Sequence, residues 1–183
     1  MIEAALTLRQ KHEFRPEDIT FVELEVPGKH ERSGHAGAAS SGLDGKFDFA
    51  YCGAVAIADG RVDIDSFSDA KRFSPIVESL LGKVRIKRNP DIPKDPPDNW
   101  AVARVGLPDG RVLSETVRHY RGSIANPMNR DERLVKLKDC AKRTLDAADI
   151  ERVVGMAEGL ESLPDVRALM AVLGHRSAKT TAR

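Results

Sequence analysis

The chain has 183 residues, which is enough for one ordinary domain or for one domain with an appendage. Lys and Arg number 29 against 28 Asp and Glu, so the net charge of +1 provides no strong field that would draw the protein to nucleic acid or to an anionic membrane. Two cysteines are too few for a disulfide framework, and no CxxC pair or Cys/His array indicates structural zinc.

The first predicted element is a helix from Ile2 to about His12, which ends before Pro16. These residues lack the basic start and the unbroken apolar core of a signal peptide, and no stretch reaches the ~18 apolar residues of a membrane span. We therefore expect a soluble protein without a membrane partner, and the use of its two cysteines favours a reducing, cytoplasmic setting. A half-buried strand follows, in which apolar residues alternate with glutamates from Val22 to Val26.

Residues 27–46 contain five glycines and three serines, which is typical of a long loop. His30 and His35 of this loop could share a metal ion, but a zinc site needs three or four ligands. The only carboxylates nearby are Glu31 and Asp44, so exposed loop histidines are favoured and no metal is expected. The glycines fit neither GxGxxG nor the P-loop pattern, so the sequence predicts no phosphate cradle.

Residues 47–58 are apolar on nearly every side and rich in Ala, which predicts a buried helix that ends at Asp59 and Gly60. Tyr51 lies on this helix, and a buried phenol needs either a hydrogen-bond partner, most often backbone, or an opening onto a cavity. Its neighbour Cys52 is a potential nucleophile. Because an apolar helix raises the pKa of a thiol, an inert buried residue is the favoured interpretation of Cys52.

Two short helices are predicted next, one with a Ser66/Asp69 capping box and one that begins at Ser74. A short strand at 83–87 then carries a basic face. Such a face is more typical of a solvated edge strand than of a nucleic-acid patch, so no nucleic-acid partner is expected. Its basic residues are Lys83, Arg85, Lys87 and Arg88.

A proline-rich turn leads into a hairpin with strands at 100–107 and 111–117 around the tight turn at Asp109. From Asn129, which forms a capping box with Glu132, the pattern becomes helical. Three apolar stripes are predicted there: Leu134, Leu137, Cys140 and Ala141; Ile150, Val153, Val154, Ala157 and Leu160; Val166, Leu169, Met170 and Leu173.

This order predicts an α+β fold, with a small antiparallel sheet and packed helices followed by a C-terminal run of helices. We expect an α+β domain at residues 1–128, helices at 129–174 and a disordered tail at 175–183.

Three stretches resemble, in order and spacing, the C-terminal half of the MmgE/PrpD family: FDFAYCGAVAIADGRVDIDSF, SPIVESLLGKVRI and PDGRVLSETVRHYRGSIANPMNRDERLVKLKDCA. The opening IEAALTLRQKHEFRPEDITFVELEV resembles the helix and strand that begin that half, so the resemblance spans Ile2 to Leu173. Family members include 2-methylcitrate dehydratases, cis-aconitate decarboxylases and an iminodisuccinate epimerase. The resemblance thus implies proton-transfer chemistry on a small polycarboxylate substrate, with no cofactor.

By position, Tyr51 resembles the tyrosine of the family's active site, which lies in a cleft between a helical domain and a smaller α+β domain. The family's Lys and His from the linking segment fall just ahead of Ile2, and its other catalytic His and Asp belong to the helical domain. The resemblance therefore implies that this chain carries only part of an active site. A phenol of pKa ~10 alone is not an efficient base near neutrality.

We accordingly expect the C-terminal domain of a cofactor-independent lyase of the 2-methylcitrate dehydratase type, inactive without its helical domain. The alternative is a standalone, non-catalytic binding or interaction domain that keeps the fold. The family's last helices pack on the helical domain, so their apolar stripes would be uncovered here. That predicts a homo-oligomer, such as a homodimer. The choice between dehydration, decarboxylation and epimerisation stays open.

Overall fold

The structure is a computed structural model that describes residues 1–28, 39–93, 95 and 98–174. The chain divides into two compact units, Met1–Pro127 and Met128–Arg183. Within the described ranges, no helix is long and apolar enough to cross a membrane. The loop histidines His30 and His35 and the expected tail at 175–183 lie outside the described residues.

The elements of the two units confirm an α+β fold in which the strands precede the C-terminal helices. The helices of the first unit are α1 (Ile2–Lys11), α2 (Phe49–Asp59), α3 (Asp69–Arg72) and α4 (Pro75–Leu81). Its strands are β1 (Phe21–Pro27), β2 (Val84–Asn89), β3 (Ala101–Gly106) and β4 (Val112–Val117). The second unit contains α5 (Arg130–Ala141), α6 (Ala147–Glu158) and α7 (Val166–Gly174).

The four strands form one sheet in the order β2-β1-β3-β4, which makes the basic strand β2 an edge strand, as predicted. β3 and β4 form the predicted antiparallel hairpin, and β1 pairs antiparallel with β3. The predicted small antiparallel sheet is extended to a mixed one, because β1 also pairs parallel with β2. Parallel neighbours need a long crossover connection, and the stretch that contains α2, α3 and α4 provides it.

One face of the sheet holds the core of the first unit. α1 packs over β3 and β4, and α2 packs over β1 and β2 beside α1 and α4. α2 approaches the sheet closely at Gly53, where a Cβ atom would lie 2.2 Å from Cδ1 of Leu24. The largest fully buried side chains are Tyr51, Leu8, Ile19, Leu24, Ile57 and Leu80. The predicted buried helix is therefore the centre of this core.

The opposite face of the sheet is charged, and it differs from the sequence expectation at Glu25. This glutamate, expected on the solvent side of a half-buried strand, is only 5% exposed. Its carboxylate accepts hydrogen bonds from Arg104 Nη1 at 2.6 Å and from Asn89 Nδ2 at 2.5 Å. The Arg104 bond is the main reason why the pKa of Glu25 is below its ordinary value. The side chains of Arg104 and Asn89 thus cover the Glu25 carboxylate and also provide its hydrogen-bond partners.

The start of α3 also differs from the prediction. Ser68, not Ser66, caps this short helix, because the Ser68 side chain accepts a hydrogen bond from the backbone N–H of Lys71. Ser66 belongs instead to a short 3-10 turn and is buried. Its hydroxyl and backbone bond with the carboxylate of Asp63. Ser68 provides only the serine half of a capping box, because the residue three positions on is Lys71 and not an acidic residue.

The second unit has the predicted capping box, in which Asn129 and Glu132 exchange side-chain to backbone hydrogen bonds. Its small core contains the buried residues Leu145, Ile150, Val153 and Val172. The predicted stripes are only partly buried. The exposed members include Cys140, Ala157, Leu160, Val166, Met170 and Leu173. The buried residue of α7 is Val172, which the predicted stripe omits.

Candidate functional site

Tyr51 is held in the first turn of α2 by the helix cap. The side chain of Asp48 accepts hydrogen bonds from the backbone N–H groups of Ala50 and Tyr51, at 2.8 and 3.1 Å. The Tyr51 ring is 0% exposed, and its hydroxyl donates to the backbone carbonyl of Ser66. This is the backbone-satisfied phenol that the apolar helix predicted as the more frequent arrangement.

Burial determines the protonation state of Tyr51. Removal from water raises the pKa of the phenol to about 12, although the charge of Arg72 acts in the opposite direction. The Arg72 guanidinium carbon lies 5.9 Å from the centre of the Tyr51 ring. Near neutrality the phenol is therefore protonated, so it can donate a hydrogen bond but is a poor base.

The packing around Tyr51 leaves no spare room on its Gly45 side. A Cβ atom on Gly45 would lie 2.4 Å from Cδ1 of Tyr51, so glycine is needed there. The same glycine contacts Cys52, whose thiol donates to the Gly45 carbonyl at 3.4 Å. Burial raises the pKa of Cys52 to about 11, which agrees with an inert thiol.

The end of the glycine-rich stretch is hydrogen-bonded to Asp48, the N-terminal cap of α2. The Ala39 N–H donates to Asp48 Oδ2 at 3.1 Å, and the Ala39 carbonyl accepts from Arg72 Nε at 2.6 Å. Arg72 is only 5% exposed and also pairs with Glu78. Asp48 thus connects the backbone at residue 39 to the first turn of the helix that carries Tyr51, and Arg72 connects it to α3 and to Glu78 of α4.

Two cavities that the sequence did not predict lie at one end of the β3–β4 hairpin. Their volumes are about 420 and 450 Å³, within the range of small-molecule sites, and both are lined by Asn99, Arg118 and Tyr120. The first also borders Phe49, at the start of α2. Tyr51 does not line either cavity, so the two features are separate sites in this structure.

Arg118 is the cation at the junction of these cavities. Its guanidinium carbon lies 4.7 Å from the centre of the Trp100 ring. Ala101 pairs with Val117 in the hairpin, so Trp100 and Arg118 occupy the next opposed positions. That register is the signal from which the sequence could have predicted this pair.

The described residues contain no group of three or more His, Cys, Asp or Glu side chains that could hold a metal ion. Of the predicted metal candidates, Asp44 is described, and its carboxylate accepts hydrogen bonds from the backbone and hydroxyl of Ser40.

Comparison with known proteins identifies the family. The sequence model of the MmgE/PrpD C-terminal domain family matches residues 1–161, which include the first unit and most of the described second unit. The chain belongs to the MmgE/PrpD family. It is 23% identical over 137 residues to the human cis-aconitate decarboxylase and 27% identical over 131 residues to a cis-aconitate decarboxylase-like protein of Aspergillus oryzae. These matches cover 71% and 70% of this chain, but 27% of each relative.

In this MmgE/PrpD chain, Tyr51 is on the buried helix where the sequence predicted it. Because the side chain is 0% exposed and its hydroxyl donates to the Ser66 carbonyl, the surrounding residues have to move before the phenol can contact a substrate. The catalytic role of Tyr51 stays a prediction.

Proposed function

We propose that this chain is the C-terminal domain of a lyase that acts on small polycarboxylates, of the cis-aconitate decarboxylase or 2-methylcitrate dehydratase type. The observation that carries the proposal is the family match over residues 1–161, together with two relatives named for cis-aconitate decarboxylation. The proposed reaction uses no metal or organic cofactor. A cytoplasmic setting is part of the same proposal.

Proton transfer next to a carboxylate requires a base for the α-proton, an acid and groups that hold the carboxylates as charge develops. The described residues offer a protonated phenol at Tyr51 and, in a separate cavity that Tyr51 does not line, the arginines Arg118 and Arg121. Tyr51 with a pKa of about 12 suits the role of a proton or hydrogen-bond donor rather than that of the base. The base then has to come from another domain.

The chain alone is therefore proposed to be inactive. The matched region spans about a quarter of each relative, and the family resemblance assigns the basic Lys and His and the remaining catalytic residues to segments outside it. A donor without its base gives little acceleration, because general acid and base act together on an α-proton.

A second candidate function is a non-catalytic binding or interaction domain that has kept the fold. The observation in its favour is the full burial of Tyr51 and the bond from its hydroxyl to the Ser66 carbonyl. A tyrosine in that arrangement stabilises the helix and its neighbouring turn without any contribution to chemistry.

Incubation of citrate, 2-methylcitrate and cis-aconitate in heavy water, with NMR of the deuterium in the recovered acids and in the products formed from them, separates the two. The assay compares the chain alone, the chain joined to a helical domain of the family, and the joined protein with Tyr51→Phe. The enzyme proposal expects incorporation only from the joined protein and a large loss with Tyr51→Phe. Ordinary incorporation by the chain alone contradicts the proposed inactivity, while a folded joined protein without incorporation favours the binding domain.

A further inference from the structure

The two cavities at the end of the β3–β4 hairpin bring together the guanidinium of Arg118 and the hydroxyl of Ser123. Arg118 contacts the Trp100 ring, and within the described part of the chain no hydrogen bond or ion pair involves its guanidinium. The Ser123 hydroxyl is buried and is the one buried side-chain polar atom of the described residues that has no hydrogen-bond partner. Ser123 and Arg118 both line the 450 Å³ cavity.

The charges that line the cavities favour an anion. The 450 Å³ cavity is lined by Arg118 and by no carboxylate, and its other polar side chains include Asn99 and Ser123. The adjoining 420 Å³ cavity adds Arg121 and a single carboxylate, Glu3. A guanidinium binds a carboxylate with two parallel hydrogen bonds, and a nearby hydroxyl can donate a third.

The indole keeps the guanidinium in place. A cation over the face of Trp is attracted by the ring, which restricts the rotamers of Arg118 before any ligand arrives. The edge of the guanidinium remains available for hydrogen bonds, because stacking uses only its face. Binding then requires less ordering of the side chain than it would for an arginine without this contact.

We propose that Arg118, held over Trp100 and helped by Ser123, binds one carboxylate group of a small polycarboxylate in these cavities. The inference rests on the proposed substrate class but not on activity, because binding needs none of the groups outside the chain. Arg118, Trp100 and Ser123 together form the Arg118 site.

Titration calorimetry of the 183-residue chain with citrate tests the Arg118 site. Arg118→Gln should weaken citrate binding about 10-fold or more, as expected for the loss of a charge-assisted bidentate contact. Arg111→Gln is the matched control: it removes the same charge at the other end of β4, where Arg111 pairs with Asp109. The control should bind within about 2-fold of the unchanged chain, since exposed charges farther away than the Debye length are screened. Ser123→Ala should weaken binding several-fold.

The inference is overturned by any of three results: no saturable citrate binding to the unchanged chain, equal losses from Arg118→Gln and Arg111→Gln, or phosphate binding as tight as citrate binding. Triethyl citrate, the neutral ester, should not compete with citrate. Failure of these titrations leaves the proton-exchange result untouched, and a failed exchange assay leaves citrate binding measurable. The two proposals can therefore fail separately.

Discussion

The substitution Tyr51→Phe removes one atom from the centre of the first unit. The phenol is fully buried, and its hydroxyl donates a hydrogen bond to the backbone carbonyl of Ser66, which lies in a short 3-10 turn. Phenylalanine fills the same space apart from that oxygen. The variant therefore loses one hydrogen bond and leaves a carbonyl unpaired, which should lower the free energy of unfolding by about 1–3 kcal/mol.

The same structure predicts how this difference depends on pH. The pKa of Tyr51 is raised from 10.0 to about 12 in the folded chain, so the stabilisation is complete below pH 10 and is lost as the pH rises through 12. Two pKa units correspond to about 3 kcal/mol. The advantage of the unchanged chain over Tyr51→Phe should therefore fall to zero or below between pH 10 and about pH 12.

Urea unfolding followed by circular dichroism at a series of pH values measures this difference. The subtraction of the two chains cancels the titration of their shared lysines. Tyr120→Phe is the matched control, because that ring is 48% exposed and its change should stay within about 0.5 kcal/mol. A difference between the unchanged chain and Tyr51→Phe that stays constant through pH 12, or that is absent at neutral pH, refutes the buried, hydrogen-bonded phenol.

Three further outcomes are expected. Gly45→Ala should lower the free energy of unfolding by about 1–3 kcal/mol in a urea titration, because its methyl would lie 2.4 Å from the buried Tyr51 ring; an unchanged midpoint would contradict that contact. Glu25→Gln should cost about 1–2 kcal/mol at neutral pH. Because the folded pKa of Glu25 lies below 4.5, the advantage of the unchanged chain should fade as the pH drops through and below 4.5, and a pH-independent gap would contradict the paired carboxylate. The exposed apolar residues of the second unit, such as Met170 at 58% exposure, should cause self-association that Met170→Glu weakens; sedimentation velocity of a clean monomer at high concentration would contradict it.

The sequence predicted local structure well where a strong pattern repeats. The strand around Val22 to Val26, the Asp-Gly turn of the hairpin and the Asn129 capping box each depend on near neighbours in the chain, and each is present. The buried helix that carries Tyr51 is also present, because a helix that is apolar on all sides is stable only when it is buried.

Features that depend on distant residues were missed. The parallel pairing of β1 with β2 joins positions about sixty residues apart, such as Val22 with Val84, and only the intervening helices indicate it. Glu25 is buried because Arg104 and Asn89 reach it from two other strands. Alternation alone could not predict those partners, since it describes one strand at a time.

The candidate site was predicted in part for the same reason. Tyr51 could be singled out because a phenol on an apolar helix is conspicuous in the sequence. Arg118 and Trp100 are eighteen positions apart, and only the hairpin register brings them opposite each other. The unpaired Ser123 hydroxyl has no counterpart in the sequence pattern, because burial without a partner is a property of the folded turn.

We propose that this MmgE/PrpD domain supplies part of a polycarboxylate site and depends on another domain for its base. The most direct test is the rate of deuterium incorporation, in heavy water, into cis-aconitate, 2-methylcitrate and the products formed from them. We predict no incorporation above the buffer rate with the purified chain alone, and incorporation once a family helical domain is joined to it. Turnover by the chain alone at the rate of the joined protein would contradict the claim.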